Sequence, residues 1–188
     1  VVACFVQNFT AMHKAILIFA LLLGVGLTAT SQEDAPLSPR SEHEPHWRAA
    51  LLLGHTFVPA VGAQYSAIPS WGLDIEYWPS AKWGLGLHND IELQSFIVER
   101  PGREGLLERE YPLVLTLDAL FKPWRGLVLQ LGPGIELERS EHLYLLRMGI
   151  EYEIEIGHHW DIFPSIFYDT RHKAFDTWAI TFGIGKRF

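Results

Sequence analysis

The chain has 188 residues, 48% hydrophobic and 20% charged, with 15 Lys+Arg against 22 Asp+Glu. This length suits one domain, and the composition excludes a disordered or collagen-like chain. The acidic balance argues against nucleic acid as a partner.

In chain order, Met12, His13 and Lys14 form a positive n-region, and Ala15 to Leu27 an uncharged apolar stretch too short to span a bilayer as a helix. Small residues follow at Ala29-Thr30-Ser31, so residues 1–31 read as a signal peptide cleaved after Ser31, with residues 1–11 as upstream sequence before the start signal at Met12. The one cysteine, Cys4, falls in this segment, and the mature part carries no thiol for disulfides, thiolate metal sites or a lipid anchor. Cleavage would remove a single base, Lys14, and leave 14 bases against 22 acids. Residues 32–45, with Pro36, Pro39 and Pro45 among serines and acids, read as a periplasmic tether.

From residue 46 the apolar pattern has period two, which predicts strands over 46–57, 70–78, 82–97, 110–122, 125–138, 142–156, 159–169 and 174–188. The sixth segment sets Tyr144, Leu146, Met148, Ile150, Tyr152, Ile154 and Ile156 against Arg147, Gly149, Glu151, Glu153 and Glu155. The third sets Trp83, Leu85, Leu87, Ile91, Leu93 and Ile97 against Gly84, Gly86, His88, Asp90, Glu92 and Gln94. No apolar run after Leu27 is long enough for a membrane helix, so any spanning falls to strands.

Alternation does not say which face points inward, because a soluble ligand-binding barrel has the same period. The strand glycines fall on the polar face, where a narrow lumen needs room and a solvated surface does not. Trp47, Tyr77, Trp83, Phe121, Trp160 and Phe188 lie near one end of the opposite face, and Phe57, Trp71, Tyr111, Tyr144, Tyr168 and Trp178 near the other. Two such belts are expected where an apolar band meets lipid headgroups. The expected fold is all-β: an eight-stranded antiparallel up-and-down transmembrane β-barrel over 46–188 with its polar face inside. Short turns at 79–81, Pro123-Trp124 and Gly157-His158 would then face the periplasm, and long loops 58–69 and 98–109 the outside.

The signal peptide, the eight alternating segments and the final strand Thr177 to Phe188 resemble the small eight-stranded outer-membrane barrels of the outer membrane protein A transmembrane-domain type. The resemblance covers about residues 46–188. It implies that Phe188 and the strand before it are read by the barrel-assembly machinery, and that outer-membrane lipids and lipopolysaccharide surround the barrel. Membership does not select a function, since such barrels serve as anchors, narrow pores, adhesion-linked proteins and lipid-modifying enzymes. Lys186, on the outward face, departs from the pattern unless it snorkels to the interface.

The expected lumen carries Asp74, Glu76, Asp90, Glu92, Asp118, Glu136, Glu151, Glu153 and Asp161 against Arg48, Lys82, Lys122, Arg147 and Arg187. Buried charges persist when paired, so these predict a salt-bridged plug centred on Arg147, with Asp74, Glu76 and Glu151 as its partners. His88, Asp90 and Glu92 alternate on one strand face and with an acid of the second strand could converge on a divalent cation, but three residues on one strand are no metal signature. No metal or cofactor is therefore assigned. His158-His159 points to opposite faces. His55 lies outward near the rim. The lipid A deacylases of the resembling barrels use a His-x-Ser pair, which is missing here, leaving Ser165 and Ser95 as weak nucleophile candidates. The mixed-charge loop of Glu99, Arg100, Arg103, Glu104, Glu108, Arg109 and Glu110 reads as a solvated tip able to meet lipopolysaccharide phosphates or an external partner. The expected role is non-enzymatic, envelope-structural or surface-interacting; a narrow cation-preferring pore and a lipid-modifying enzyme are the alternatives.

Overall fold

The computed structural model describes residues 44–60, 64–99 and 106–188. The signal peptide, most of the tether, Cys4, and the loop residues Arg100, Arg103 and Glu104 lie outside the described residues. Among the described residues every regular element is a strand. They are β1 (His46–Ala60), β2 (Gln64–Trp78), β3 (Trp83–Glu92), β4 (Phe96–Glu99), β5 (Leu106–Arg109), β6 (Leu113–Trp124), β7 (Leu127–Leu137), β8 (Leu143–Tyr152), β9 (Ile154–Gly157), β10 (Trp160–Arg171) and β11 (Thr177–Arg187).

Eight antiparallel strands follow one another around the sheet, with β8 and β9 forming one strand interrupted at Glu153, and β11 returns to pair with β1 from Arg48↔Arg187 to Phe57↔Trp178. Closure leaves this sheet no free edge. Phe188 extends the seam: its amide donates to the Trp47 carbonyl at 2.8 Å, and the Trp47 amide donates back at 3.3 Å.

The predicted faces are observed. In β8, and in β3 from Trp83 to His88, burial alternates residue by residue. Leu53, Leu85, Leu117, Met148 and Phe182 stand exposed outside, whereas Arg48, Glu76, Asp118 and Glu151 are at most 2% exposed inside. The polar face is the interior, the inverse of a soluble protein. On the outer face Trp47 packs on Tyr77 and Trp83 on Phe121 at one end, and Phe57 stacks on Trp178 at the other, with centroids 4.9, 4.5 and 4.0 Å apart. Lys186 sits over the Trp160 and Phe188 rings at 5.2 Å from each, which accounts for a cation on this face.

The short connections lie where expected, with small shifts. The turn expected at Pro123-Trp124 falls at Arg125-Gly126, because β6 runs to Trp124 through a bulge. Gly126 takes φ +80°, which suits glycine, and a Cβ there would meet the Glu153 carbonyl. The β9–β10 turn puts His158 and His159 both at positive φ, after Gly157 at +101°.

The long loops differ from expectation. Residues 58–69 are largely ladder, paired out to Ala60↔Gln64 despite Pro59 and Pro69. The sequence alternation bounds its segments at 57 and 70, but the two strands stay in register beyond those bounds, and ladder pairing continues to Ala60↔Gln64. The expected strand 82–97 ends at Glu92. The Glu92 amide donates to the Pro112 carbonyl and the Leu93 amide to that of Pro69, after which the chain leaves the sheet, and Gln94 is exposed rather than inward. Residues 98–109 are no open loop either, since β4 and β5 pair as a separate hairpin.

That hairpin supplies Phe96, Val98 and Leu107 to an apolar cluster with Val58, Ile68, Leu143, Ala174 and Phe175 at the long-loop end. At the short-turn end Trp78, Leu120 and Val128 make a second cluster. Between them, Ala50 and Leu52 pack with Phe163 and Phe167. The interior face, expected to be small or charged, thus also carries large rings. Glycines opposite these rings make the room. A Cβ on Gly84 would lie 2.8 Å from Trp78 Cδ2, and one on Gly149 would lie 2.7 Å from Phe167 Cδ1, both inside van der Waals contact.

Candidate functional site

The candidate site is the lumen itself, a stack of charges between the two apolar ends. Arg48 is its hub. Its Nη1 donates to Glu76 Oε1 at 2.5 Å, Nη2 to Asp161 Oδ1 at 2.6 Å, and Nη2 lies 2.9 Å from Glu151 Oε1. The guanidinium also stacks on Phe163, 4.4 Å from the ring centroid. Glu76 faces Arg48 directly across β1–β2, and its second oxygen accepts from Trp78 Nε1 at 2.6 Å.

Arg147 is not the partner of Asp74, Glu76 and Glu151. It holds Asp169, opposite it on β10, through Nε and Nη2 at 2.8 Å each, and also pairs with Asp90. The expectation placed Arg147 by segment midpoint, whereas partners are set by register, and register puts Asp169 beside it. Asp169 was missed because it ended its predicted segment.

Two further arginines were placed in loops. Arg171 continues the inward parity of Asp169 once β10 runs two residues further, pairing with Glu136 and donating to Thr177 Oγ1 at 2.8 Å. Arg109, in the loop expected to be solvated, is fully buried. It donates from Nε to the other oxygen of Glu136 at 2.7 Å and from Nη1 to the Glu141 carbonyl at 2.8 Å. Its third partner is Glu138, 3.3 Å away in the β7–β8 turn. Hydrogen bonds from the Ser140 hydroxyl and amide hold the Glu138 carboxyl below its ordinary range, so it stays an anion for Arg109. Only the parity of Arg171 could have been read from sequence; Arg109 depends on the hairpin.

Lys122 bonds both Glu153 oxygens at 2.8 and 2.9 Å and lies over the Trp78 ring. Arg187 works at the rim, 2.7 Å from Glu155 and 3.6 Å from Asp161. Lys82 is exposed in the turn before β3 and takes no part in the lumen.

His88, Asp90 and Glu92 do not converge. Asp90 turns to Arg147, and Glu92 is buried with Oε2 accepting no hydrogen bond. His88 instead meets β2, where Asp74 is its cross-strand partner. One donor atom each of Asp74, Glu76 and His88 lies within 4.8 Å of the others. Behind the imidazole, Nδ1 is 2.7 Å from Asp118 Oδ2, which also accepts from Thr116 Oγ1 at 2.6 Å.

Neither weak nucleophile gains a base. Ser165 is buried and shares a hydrogen bond with Thr181, while Ser95 and His55 are exposed. Outside the lumen, two open concavities of about 540 and 160 Å³ flank the β7–β8 and β10–β11 connections, lined in part by His142, Tyr144, His172 and Lys173.

No protein-family profile and no curated protein matches the chain. Solved structures do. The attachment invasion locus protein Ail of Yersinia pestis, in complex with the heparin analogue sucrose octasulfate, superposes with a TM-score of 0.56 at 16% identity, over 78% of this chain and 100% of Ail. Neisserial surface protein A gives 0.53 at 10% identity over 78% of this chain and 100% of its own. The outer membrane protein OprG of Pseudomonas aeruginosa gives 0.51 at 14% identity, over 75% and 95%. At these identities the likeness is one of fold.

Proposed function

We propose that this chain, which has the fold of the small eight-stranded outer-membrane β-barrels, is a non-enzymatic integral barrel of the bacterial outer membrane with an envelope-structural or surface-interacting role. The observation that carries this reading is the filled interior. Paired charges occupy it between apolar layers at both ends, and among the described residues no serine is joined to a histidine. Such packing favours an anchor over a pore or a lipid-modifying enzyme.

Export by a signal peptide cleaved near Ser31, assembly through the terminal strand ending in Phe188, and a shell of lipopolysaccharide belong to the same proposal. The outward apolar belt with aromatic girdles supports the membrane setting. The β4–β5 hairpin and the rim around Tyr144, His172 and Lys173 are the surfaces open to an external partner.

Reconstituted into planar bilayers, the purified barrel is expected to give no steady conductance above that of the lipid, because paired charges and buried apolar clusters occupy its interior. Regular unitary steps with cation preference would instead establish the pore reading. Unchanged lipid A in a deletion strain is expected on the same grounds, and altered acylation would establish the enzyme.

Orientation is tested separately. An epitope placed between residues 100 and 105 should bind antibody on intact cells, and one placed after Gly157 should bind only after the membrane is opened. Opposite labelling would invert the barrel.

A further inference from the structure

Charge is unequally matched at the short-turn half of the lumen. Asp74, Glu76, Asp118, Glu151, Glu153 and Asp161 are all buried, and Glu76, Glu151, Glu153 and Asp161 pair with the permanent cations Arg48, Lys122 and Arg187. Six carboxylates against three cations leave a surplus of negative charge in a place where each unpaired charge is costly. The surplus is concentrated at one point. Asp74 is 2% exposed with Oδ2 accepting no hydrogen bond, and His88 is 1% exposed with Nε2 likewise unpartnered, 4.0 Å from Glu76 Oε1.

We propose that Asp74, Glu76 and His88 bind a divalent transition-metal cation of the Zn²⁺ class inside the barrel. The donor set, one imidazole nitrogen and two carboxylates, suits Zn²⁺ better than Ca²⁺ or Mg²⁺, which prefer all-oxygen shells. The donors already lie within 4.8 Å of one another, and a tetrahedral zinc shell would draw them to about 3.3 Å apart. Asp118 completes the arrangement. Asp118 Oδ2, 2.7 Å from Nδ1, is placed to hold the proton on that nitrogen when the metal binds and so leave the Nε2 lone pair for the cation, the usual support given to a metal-bound histidine. Thr116 fixes that carboxylate in turn. The missing side chain of Gly86 matters as well, because a Cβ there would fall on Nε2. Glu76 bridges the cation and Arg48, tying the metal to the hub.

Because all three donors are buried, the cation is expected to enter during folding and leave slowly. The test is therefore loading at refolding. Full-length mature protein folded from urea into detergent micelles with Zn²⁺, then freed of unbound metal by gel filtration, should carry about one Zn²⁺ per chain by elemental analysis. Asp74→Asn and His88→Gln should each retain about tenfold less. Glu92→Gln, a buried lumen acid outside the site, and the turn variant H158A/H159A should both retain wild-type levels. Metal lost with the turn histidines but kept by Asp74→Asn and His88→Gln would mean adventitious surface binding and overturn the site. A wild-type chain without retained metal would overturn it too. Wild-type protein loaded with Co²⁺ supplies a readout independent of variants. The intense visible bands of a low-coordinate N/O shell are expected, and the weak spectrum of hydrated cobalt would contradict the proposal.

Discussion

Arg48→Met should be the most damaging lumen substitution, lowering folding stability by about 3 to 5 kcal/mol, the usual cost of removing one partner from a buried ion network. The side chain is 1% exposed and serves Glu76, Glu151 and Asp161 together. Methionine fills much of the volume over Phe163 but leaves three carboxylates facing one another without their cation. Rim Arg187, 23% exposed and partnered in part by the 71% exposed Glu155, should cost less than about 1 kcal/mol when changed the same way. Urea unfolding of both variants in lipid vesicles measures the difference. Equal losses would show that the buried network does not hold the barrel together.

A second large effect is expected on the opposite face. Leu131 and Met148 are exposed cross-strand partners on β7 and β8, midway between Tyr144 and Tyr152 along β8, and Gln130 beside Leu131 has its side chain buried inside. Leu131→Arg should cost about 2 to 4 kcal/mol, because it places a charge near the bilayer midplane. In a soluble barrel with its apolar face inside, the same residue would line a dry core, and the cost would not depend on the bilayer. Refolding yield and urea midpoints in vesicles of defined thickness check the cost, and thinner bilayers should reduce it as the arginine reaches the headgroups.

These two experiments probe what the sequence made readable to different degrees. The period of two in β3, β7, β8 and β11 reports directly on a sheet with unlike faces, and the strand glycines falling on the polar face identify the inner one. Both are local properties of the chain. Pairing inside the lumen is not local. Arg48 meets Asp161 across 113 residues because barrel closure sets β1 against β11 and β11 against β10. Midpoint reasoning therefore gave Arg147 the wrong acids. Register in a closed barrel follows from how all eight strands stagger, and no single segment encodes it.

The long loops show a different limit. The alternation is bounded at residues 57 and 70, yet Pro59 and Pro69 sit in paired strands whose apolar Val58 and Ile68 gain burial in the end cluster. Phe96, Val98 and Leu107 reach the same cluster only because β4 and β5 pair with each other. Arg109 follows from that hairpin, so it was read as a solvated charge. The candidate metal ligands were half legible: His88 stood out on its strand, but its companions came from cross-strand neighbours on β2, not from Asp90 and Glu92 beside it.

The account rests above all on an inverted protein, apolar outside and charged within. Nitroxide labels placed one at a time along residues 127–131 of the barrel in lipid vesicles test this most directly, by comparing relaxation from membrane-dissolved oxygen with that from a water-soluble nickel chelate. Labels at 127, 129 and 131 should be oxygen-accessible and chelate-protected, while labels at 128 and 130 should be shielded from oxygen. Chelate access at 127, 129 and 131, or no alternation along the five positions, would contradict the account.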